Sequence, residues 1–328
     1  MQNRMKACLV GSDHDLYWGD WEKPTCGPDE LLVRIYATAV NRADLLQKRG
    51  KYPVPPGASP ILGLEMAGTI EEVGANVVNW QVGERVAALL SGGGYAQYVV
   101  IPQTMAIHIP DQLSLEQAAG IPEVFLTAYL NAFKLGGLQA GERILVHAAA
   151  SGVGTAAVQL AKAAGAHVYA TVGTDEKAEA VRRLGADCVV NYRHQSFKET
   201  IQQETNGHGV ELILDPVGAS YWQDNVDSLA YDGRFVLYGA LGGAKIDSFD
   251  LMAVMLKRVH VIGSTLRGLP LSRKAALTAN FVEWALPLFK SGQLQPIIDS
   301  VWDAEEVNEA HAQMERNANI GKLIILTP

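Results

Sequence analysis

Between residues 143 and 264, short apolar runs alternate with stretches whose apolar residues recur every three or four positions. The runs at 144–147, 167–171, 188–190, 210–215, 233–239 and 260–264 have the length and content of buried strands. The segment after the first run is helical in its spacing, with Val153, Ala156, Ala157, Leu160, Ala161 and Ala164 on one face. Strand and helix in alternation predict a parallel sheet with right-handed crossovers. Six strands in this order fit a doubly wound nucleotide-binding domain.

Residues 5–125 follow a different rhythm. Short β-like runs at 6–10, 30–39, 67–73, 85–89, 96–101 and 106–109 are broken by turn signals such as Cys26-Gly27-Pro28-Asp29 and Ser91-Gly92-Gly93-Gly94. This predicts a compact, barrel-like β domain. Helical spacing begins at 115–119 and strengthens through 123–134. A long helix is expected over 272–291. A second one begins at Asp303 with a capping box, because Glu306 lies three residues on. A strand at 322–326 closes the chain. Met1-Gln2-Asn3-Arg4 reads as a short extension before the first strand. The fold class expected is α/β, a β-barrel-type domain joined to a doubly wound domain.

At 328 residues, the chain has room for two domains. Hydrophobic content of 48% and charge of 19% describe a soluble globular protein. A net charge of −8 disfavours a broad surface for nucleic acid. The three cysteines, Cys8, Cys26 and Cys188, are scattered, which argues against both a disulfide framework and a cysteine-rich zinc lobe. No apolar run reaches membrane-spanning length and no charged-then-apolar leader opens the chain, so cytoplasm is the default expectation.

The chemistry centres on Ile144-Leu145-Val146-His147-Ala148-Ala149-Ala150-Ser151-Gly152-Val153-Gly154. This is strand, tight turn, helix: the arrangement that offers backbone N–H groups and a positive helix end to a phosphate. Laid on G-x-G-x-x-G, the run reads Ala149-x-Ser151-x-x-Gly154 and keeps only the third glycine. Ser151, Gly152, Val153 and Gly154 are therefore the candidate phosphate turn. The second strand ends in Thr171-Val172-Gly173-Thr174, with no acid before Asp175. An NAD-selective site places Asp or Glu near that point. Here Gly173, Thr174, Lys177 and Tyr192 could instead receive a 2′-phosphate, which favours NADPH. The plainer readings are a solvated Lys177 and an Asp175 that caps its helix. Tyr238 and Gly239 end another sheet strand, where open α/β sheets bind ligands. His147 reads as a buried or capping histidine.

Asn41-Arg42-Ala43-Asp44, Gly63-Leu64-Glu65-x-x-Gly68 and 148–154 together resemble the medium-chain dehydrogenase/reductase superfamily, in its zinc-independent quinone oxidoreductase branch. Ala186-Asp187-x-x-x-Asn191-Tyr192, Asp215-Pro216-Val217-Gly218 and Asn319-Ile320-Gly321-Lys322 extend the resemblance over nearly the whole chain. Residues 41–57, 151–157 and Ser220-Tyr221-Trp222 look most like the tumour-suppressor-inducible group, and the zeta-crystallin group looks more distant. The resemblance implies a GroES-like catalytic domain at 1–125, a Rossmann NADP-binding domain at 126–267, and a return to the catalytic domain at 268–328. Zinc-dependent members carry Gly-His-Glu where this chain has Gly63-Leu64-Glu65, so no metal is expected. Asn41 and Tyr52 are implied beside the nicotinamide, Asn41 as a carboxamide donor to a substrate oxygen. Thr127, Tyr192, Ser264 and Lys322 are implied in the cofactor shell, Lys322 either pairing with a phosphate or capping the last strand. Glu65 is expected as a structural carboxylate, and Asp44 as an anchor for its loop.

The implied activity is hydride transfer from NADPH to small quinones. Reduction of α,β-unsaturated carbonyls by the same chemistry is the alternative. A nucleotide-binding redox sensor or RNA-binding protein is the non-enzymatic reading, against which the acidic balance speaks. The apolar edge strand at 260–264 needs covering, and in the family two such edges pair, which implies a homodimer.

Overall fold

The structure is a computed structural model that describes residues 4–328. Of the extension expected at the N-terminus, Met1, Gln2 and Asn3 lie outside the described residues, and Arg4 already opens a strand, Arg4–Val10. The chain forms two compact units: Met1–Leu126 with Arg267–Pro328, and Thr127–Leu266.

In the second unit, Cys188–Asn191, His167–Val172, Arg143–Val146, Val210–Asp215, Leu229–Leu237 and His260–Gly263 lie side by side in that order, all parallel. The order reverses between Arg143–Val146 and Val210–Asp215, the point at which such sheets open a ligand crevice. Ile144, Leu145, Val146, Leu212, Ile213 and Leu214 are fully buried, as central strands covered on both faces must be. Most strand ends lie within a residue of expectation, and one strand differs by more. The strand expected at 233–239 runs from Leu229 to Leu237, with a register shift against Val210–Asp215 where Asp232 takes a left-handed φ of 59°, and Tyr238 and Gly239 follow just beyond its end.

The first unit is built on a seven-stranded sheet. Ile298–Trp302, Lys322–Leu326, Glu30–Ala39, Glu65–Val73, Arg85–Leu89 and Ala106–His108 are neighbours in that order, and Tyr98–Pro102 also pairs with Glu30–Ala39. All pairs are antiparallel except the first. Ala37, Ala39, Ala67 and Ala87 present a shallow face on which Ala118 and Ala119 of the helix Leu115–Ala119 pack closely. Two strands escape the sequence pattern. Leu16–Glu22 carries Gly19 and Asp20 and is held by its hairpin partner Arg4–Val10; Ile298–Trp302 is held by Lys322–Leu326. The strand expected at 96–101 begins at Tyr98, while Ala96 makes an isolated bridge to Ala7.

The helix expected at 123–134 is α-helical over Pro122–Tyr129 and widens into a π-turn over Leu130–Leu135. The capping box at Asp303 and Glu306 is present, but it opens a single 3₁₀ turn, Ala304–Glu306, before the helix Val307–Glu315. The helix Leu271–Lys290 carries Pro287 near its end. The fold is thus α/β, with a GroES-like β unit and a doubly wound, six-stranded parallel sheet. No helix among the described residues is long and apolar enough to cross a membrane.

Candidate active site

In the doubly wound unit, the strand Arg143–Val146 delivers the chain to a turn in which Ala148 adopts a positive φ of 50°. Ser151 then caps the helix Gly152–Ala163, its hydroxyl accepting the Gly154 N–H at 3.1 Å. Gly154 has no room for a side chain. A Cβ there would strike the Ala148 carbonyl oxygen and lie 2.6 Å from the Ala149 Cα. The helix N-terminus is thereby pulled tight against the strand end, with Gly152 and Val153 in its first turn.

Beneath this turn His147 is fully buried. Its Nε2 lies 2.7 Å from Asn225 Oδ1 and its Nδ1 2.8 Å from Thr171 Oγ1. Asn225 donates through Nδ2 to Asp215 Oδ2 at 3.0 Å, which leaves its Oδ1 as the acceptor for His147 Nε2–H. Burial pulls the imidazole down to about 4, so it is neutral at ordinary pH. The network ties together the ends of three sheet strands: His147 follows the first, Thr171 lies on the second and Asp215 on the fourth.

The second strand ends at a polar corner. Thr174, not Asp175, caps the helix Asp175–Arg183, its Oγ1 accepting the Lys177 N–H at 3.2 Å. Asp175 instead accepts from Asn191 Nδ2 at 2.7 Å. Tyr192 stands half-exposed against Tyr221, and its hydroxyl lies 2.5 Å from where a Cβ on Gly173 would sit. Gly173, Thr174, Tyr192 and the first turn carrying Lys177 are therefore brought together. Further along the sheet, a Cβ at Gly239 would lie 2.7 Å from the Pro216 oxygen. The buried Tyr238 hydroxyl has no hydrogen-bond partner among the described residues. Ser264 donates to Asn131 Oδ1 at 2.6 Å. Thr127 is buried on the helix Pro122–Tyr129. The capped helix end and the cradle under Tyr192 fit a dinucleotide, the first for its pyrophosphate and the second for its ribose end.

The β unit holds a buried charge cluster. The strand Lys322–Leu326 pairs beside Glu30–Ala39, which carries Lys322 to the Val40–Asn41 turn. Its ammonium donates to Val40 O at 2.9 Å and Asn41 Oδ1 at 2.8 Å, and pairs with Glu65 Oε1 at 2.7 Å. All three donors are thus engaged inside the β unit. A contact between Lys322 and a cofactor phosphate, one of its two expected roles, would require one of these three to break. Asn41 is committed in the same way. Its Nδ2 donates to Glu65 Oε1 at 2.9 Å and to Ala39 O at 3.3 Å, so no carboxamide N–H is left for a substrate oxygen. Glu65 Oε2 accepts the Glu123 backbone N–H at 2.9 Å. Asp44 anchors its loop by accepting the Asn41 and Gly63 N–H groups at 2.8 and 3.0 Å. Burial lifts Asp44 to about 6.

Zinc does not fit here. Leu64, between Gly63 and Glu65, is buried and offers no ligand atom. Among the described residues no group of three or more His, Cys, Asp or Glu is placed to hold a metal. The cation beside Glu65 is a lysine ammonium.

Tyr52 sits in the proline-rich loop beside this cluster. The Arg267 guanidinium lies over its ring at 5.1 Å and donates to Ser91 O and Gln47 Oε1 at 2.7 Å each. Lys274 donates to Ser91 Oγ at 2.7 Å. Arg267 and Lys274 help to line a groove of 620 Å³ that also runs along Pro55, Ser59 and Ser91. Burial holds the Tyr52 phenol above its ordinary value, so it stays a hydrogen-bond donor through neutral pH. Glu123, Arg267 and Lys274 are not among the site residues expected from the sequence. Glu123 alone carries a signal, as the one acid inside the apolar run Ile121-Pro122-Glu123-Val124-Phe125-Leu126.

Comparison with known proteins places this geometry. Residues 27–111 match the alcohol dehydrogenase GroES-like domain, and residues 152–284 match the zinc-binding dehydrogenase family. The human synaptic vesicle membrane protein VAT-1 homolog is 31% identical over 318 residues, covering 92% of this chain and 80% of that protein. The solved quinone oxidoreductase of Pseudomonas syringae pv. Tomato DC3000 is 30% identical, with a TM-score of 0.85 over 99% of this chain and 100% of that one. The CurK enoyl reductase is 30% identical, with a TM-score of 0.87 over the whole of both chains. The chain spans 66% of the zebrafish VAT-1 homolog and 11% of a mycocerosic acid synthase-like polyketide synthase of Mycobacterium tuberculosis.

Proposed function

The chain belongs to the medium-chain dehydrogenase/reductase superfamily of nicotinamide-dependent oxidoreductases, and from that premise we propose that it is a zinc-independent, NADPH-dependent reductase of small quinones. The reaction converts quinone, NADPH and one proton to hydroquinone and NADP⁺. NADPH supplies the hydride when bound. Ser151, Gly152, Val153 and Gly154 hold the pyrophosphate at the helix end. Gly173, Thr174, Lys177 and Tyr192 hold the 2′-phosphate, and Thr127, Tyr238, Gly239 and Ser264 complete the shell. Tyr52 donates a hydrogen bond to the substrate oxygen. Asn41 shapes the floor of the substrate site by locking the pair of Lys322 and Glu65. With no metal ligands at Leu64, carbonyl polarisation by an ion is replaced by a substrate that accepts hydride readily.

The observation that carries the reading is the corner at Gly173. The strand ends without an acid, and Tyr192 Oη, Thr174 and the Lys177 turn converge there. Fluorescence titration of NADPH against NADH, on wild type and Lys177→Ala, tests it. NADPH should bind at least tenfold more tightly than NADH, and the variant should lose about tenfold in NADPH affinity alone, the worth of one charge-assisted bond. Equal affinity for both dinucleotides would overturn the assignment.

A second reading, reduction of an α,β-unsaturated carbonyl, is favoured by the likeness to a structure described as an enoyl reductase. A side-by-side assay with quinone and enone substrates separates the two. The protein acts as a homodimer through the exposed edge at His260–Gly263, beside a helix, Leu251–Lys257, in which no residue is buried.

A further inference from the structure

The β unit buries two carboxyl groups, Asp44 and Glu65, around one ammonium, and a third, the half-buried Glu123, adjoins them through its backbone N–H. Glu65 is partnered on both oxygens, by Lys322 and Asn41 on one and by the Glu123 N–H on the other. Asp44 has a backbone N–H on each oxygen. Glu123 is the exception: its Oε2 is sealed from solvent and has no hydrogen-bond partner among the described residues. Ionising Glu123 is disfavoured, because no hydrogen bond replaces the hydration that its Oε2 has lost.

We propose that Glu123 is the proton donor that completes reduction. Its carboxyl O–H breaks as a new O–H forms on the substrate oxygen left anionic by hydride transfer. The electron pair of the broken bond stays on Glu123 as carboxylate, and a proton from water restores the acid. NADPH loses two electrons and the substrate gains them, so the proton is the only species that Glu123 contributes. The inference rests on the reductase reading above, and it assigns the proton that the reading requires.

Position and charge agree. Tyr52, Arg267 and Lys274 all feel the charge of Glu123 from the loop and the groove wall. Its backbone N–H, donated to Glu65 Oε2 at 2.9 Å, joins it to the cluster of Glu65, Lys322 and Asn41. Burial first, and then the negative charge of Glu65, push the Glu123 acid up to about 8; Lys322 and Arg267 pull against them, and Asp44 adds to the rise. Near neutral pH the group holds its proton but releases it to a stronger base, which is the condition for an efficient general acid. Tyr52, held above its ordinary value, can orient the same oxygen but is the weaker acid.

Two measurements test the proposal. The first is an infrared pH titration of the wild-type protein without cofactor. A protonated-carboxyl band that disappears near pH 8, and that is missing in Glu123→Gln but kept in Lys177→Ala, is expected; no such band in wild type overturns the stored proton. The second is the pH profile of kcat with a quinone or enone. Wild type should fall tenfold per unit above about pH 8, and Glu123→Gln should lose that limb together with at least tenfold in kcat. An unchanged limb in the variant overturns the assignment of the donor. If no quinone or enone is reduced at all, the reductase reading fails, and with it the donor role, whatever the infrared band shows.

Discussion

The Lys322 ammonium lies 2.7 Å from Glu65 Oε1, with the two side chains 3% and 0% exposed. Removing one member of such a pair leaves the other charge buried and unpaired, which costs about 3–5 kcal/mol. Lys322→Met should therefore destabilise the protein by that amount in urea unfolding. It also frees Asn41 Oδ1 and the Val40 carbonyl from their shared donor. Dinucleotide affinity should stay within a few fold of wild type, because every donor of Lys322 is engaged inside the β unit. A variant of normal stability that loses NADPH would return Lys322 to the cofactor.

Two glycines near the proposed cofactor site should behave differently when given a methyl group. At Gly154 the new Cβ meets backbone, the Ala148 carbonyl and the Ala149 Cα. The helix has to withdraw, so Gly154→Ala should cost about 1–3 kcal/mol and weaken NADPH and NADH alike. At Gly173 the new Cβ meets the far end of the Tyr192 side chain. Gly173→Ala should displace that hydroxyl at little cost in stability and weaken NADPH more than NADH. Thermal unfolding and dinucleotide titration of both variants check the contrast.

The parallel sheet was legible because its evidence is local. Each central strand is a short apolar run, and each crossover helix has its own periodicity. Thr174 and Asp175 show where locality fails. Both residue types cap helices, and only the geometry shows that Thr174 takes the cap while Asp175 turns to Asn191. The cluster around Glu65 was out of reach for a different reason. Asn41, Glu65, Glu123 and Lys322 come from four separate elements, and a lysine 281 positions from its carboxamide partner leaves no periodic trace. Resemblance brought Asn41 and Lys322 into view, yet it could not show that they satisfy one another. Arg267 and Lys274 were invisible because cations in a polar turn and on a helix look solvated until the fold buries them.

The outer face of the doubly wound unit makes a prediction about assembly. Leu251, Met255 and Leu256 are 71%, 62% and 63% exposed, and Val261 on the neighbouring edge strand is 44% exposed. An apolar helix with no buried residue beside an unpaired strand edge is the arrangement that proteins otherwise blunt with charge. Sedimentation at micromolar concentration should give a dimer for wild type and a monomer for the double variant Leu256→Lys/Val261→Lys. A wild-type monomer would remove the proposed interface.

Stability above neutral pH should carry the signature of Glu123. In the unfolded chain its carboxyl ionises around its ordinary value of 4.5, whereas in the fold it holds its proton to about 8. Over that interval the folded state binds more protons than the unfolded one, so stability falls as pH rises and levels off once the folded carboxyl also ionises. Asp44 and Asp215, each raised to about 6, act in the same direction over a window that closes near 6. His147 and His311, lowered by burial to about 4 and about 3, act in the opposite direction below 6.5, where the unfolded chain takes up the protons. Between pH 6.5 and 8, Glu123 is the one group of these five that still contributes. Urea unfolding at constant ionic strength should show a loss of about 2 kcal/mol across that interval, the worth of one and a half pKa units. In Glu123→Gln the slope should vanish. A level profile in wild type would mean that the carboxyl ionises below this window, and that no proton is held there for a substrate.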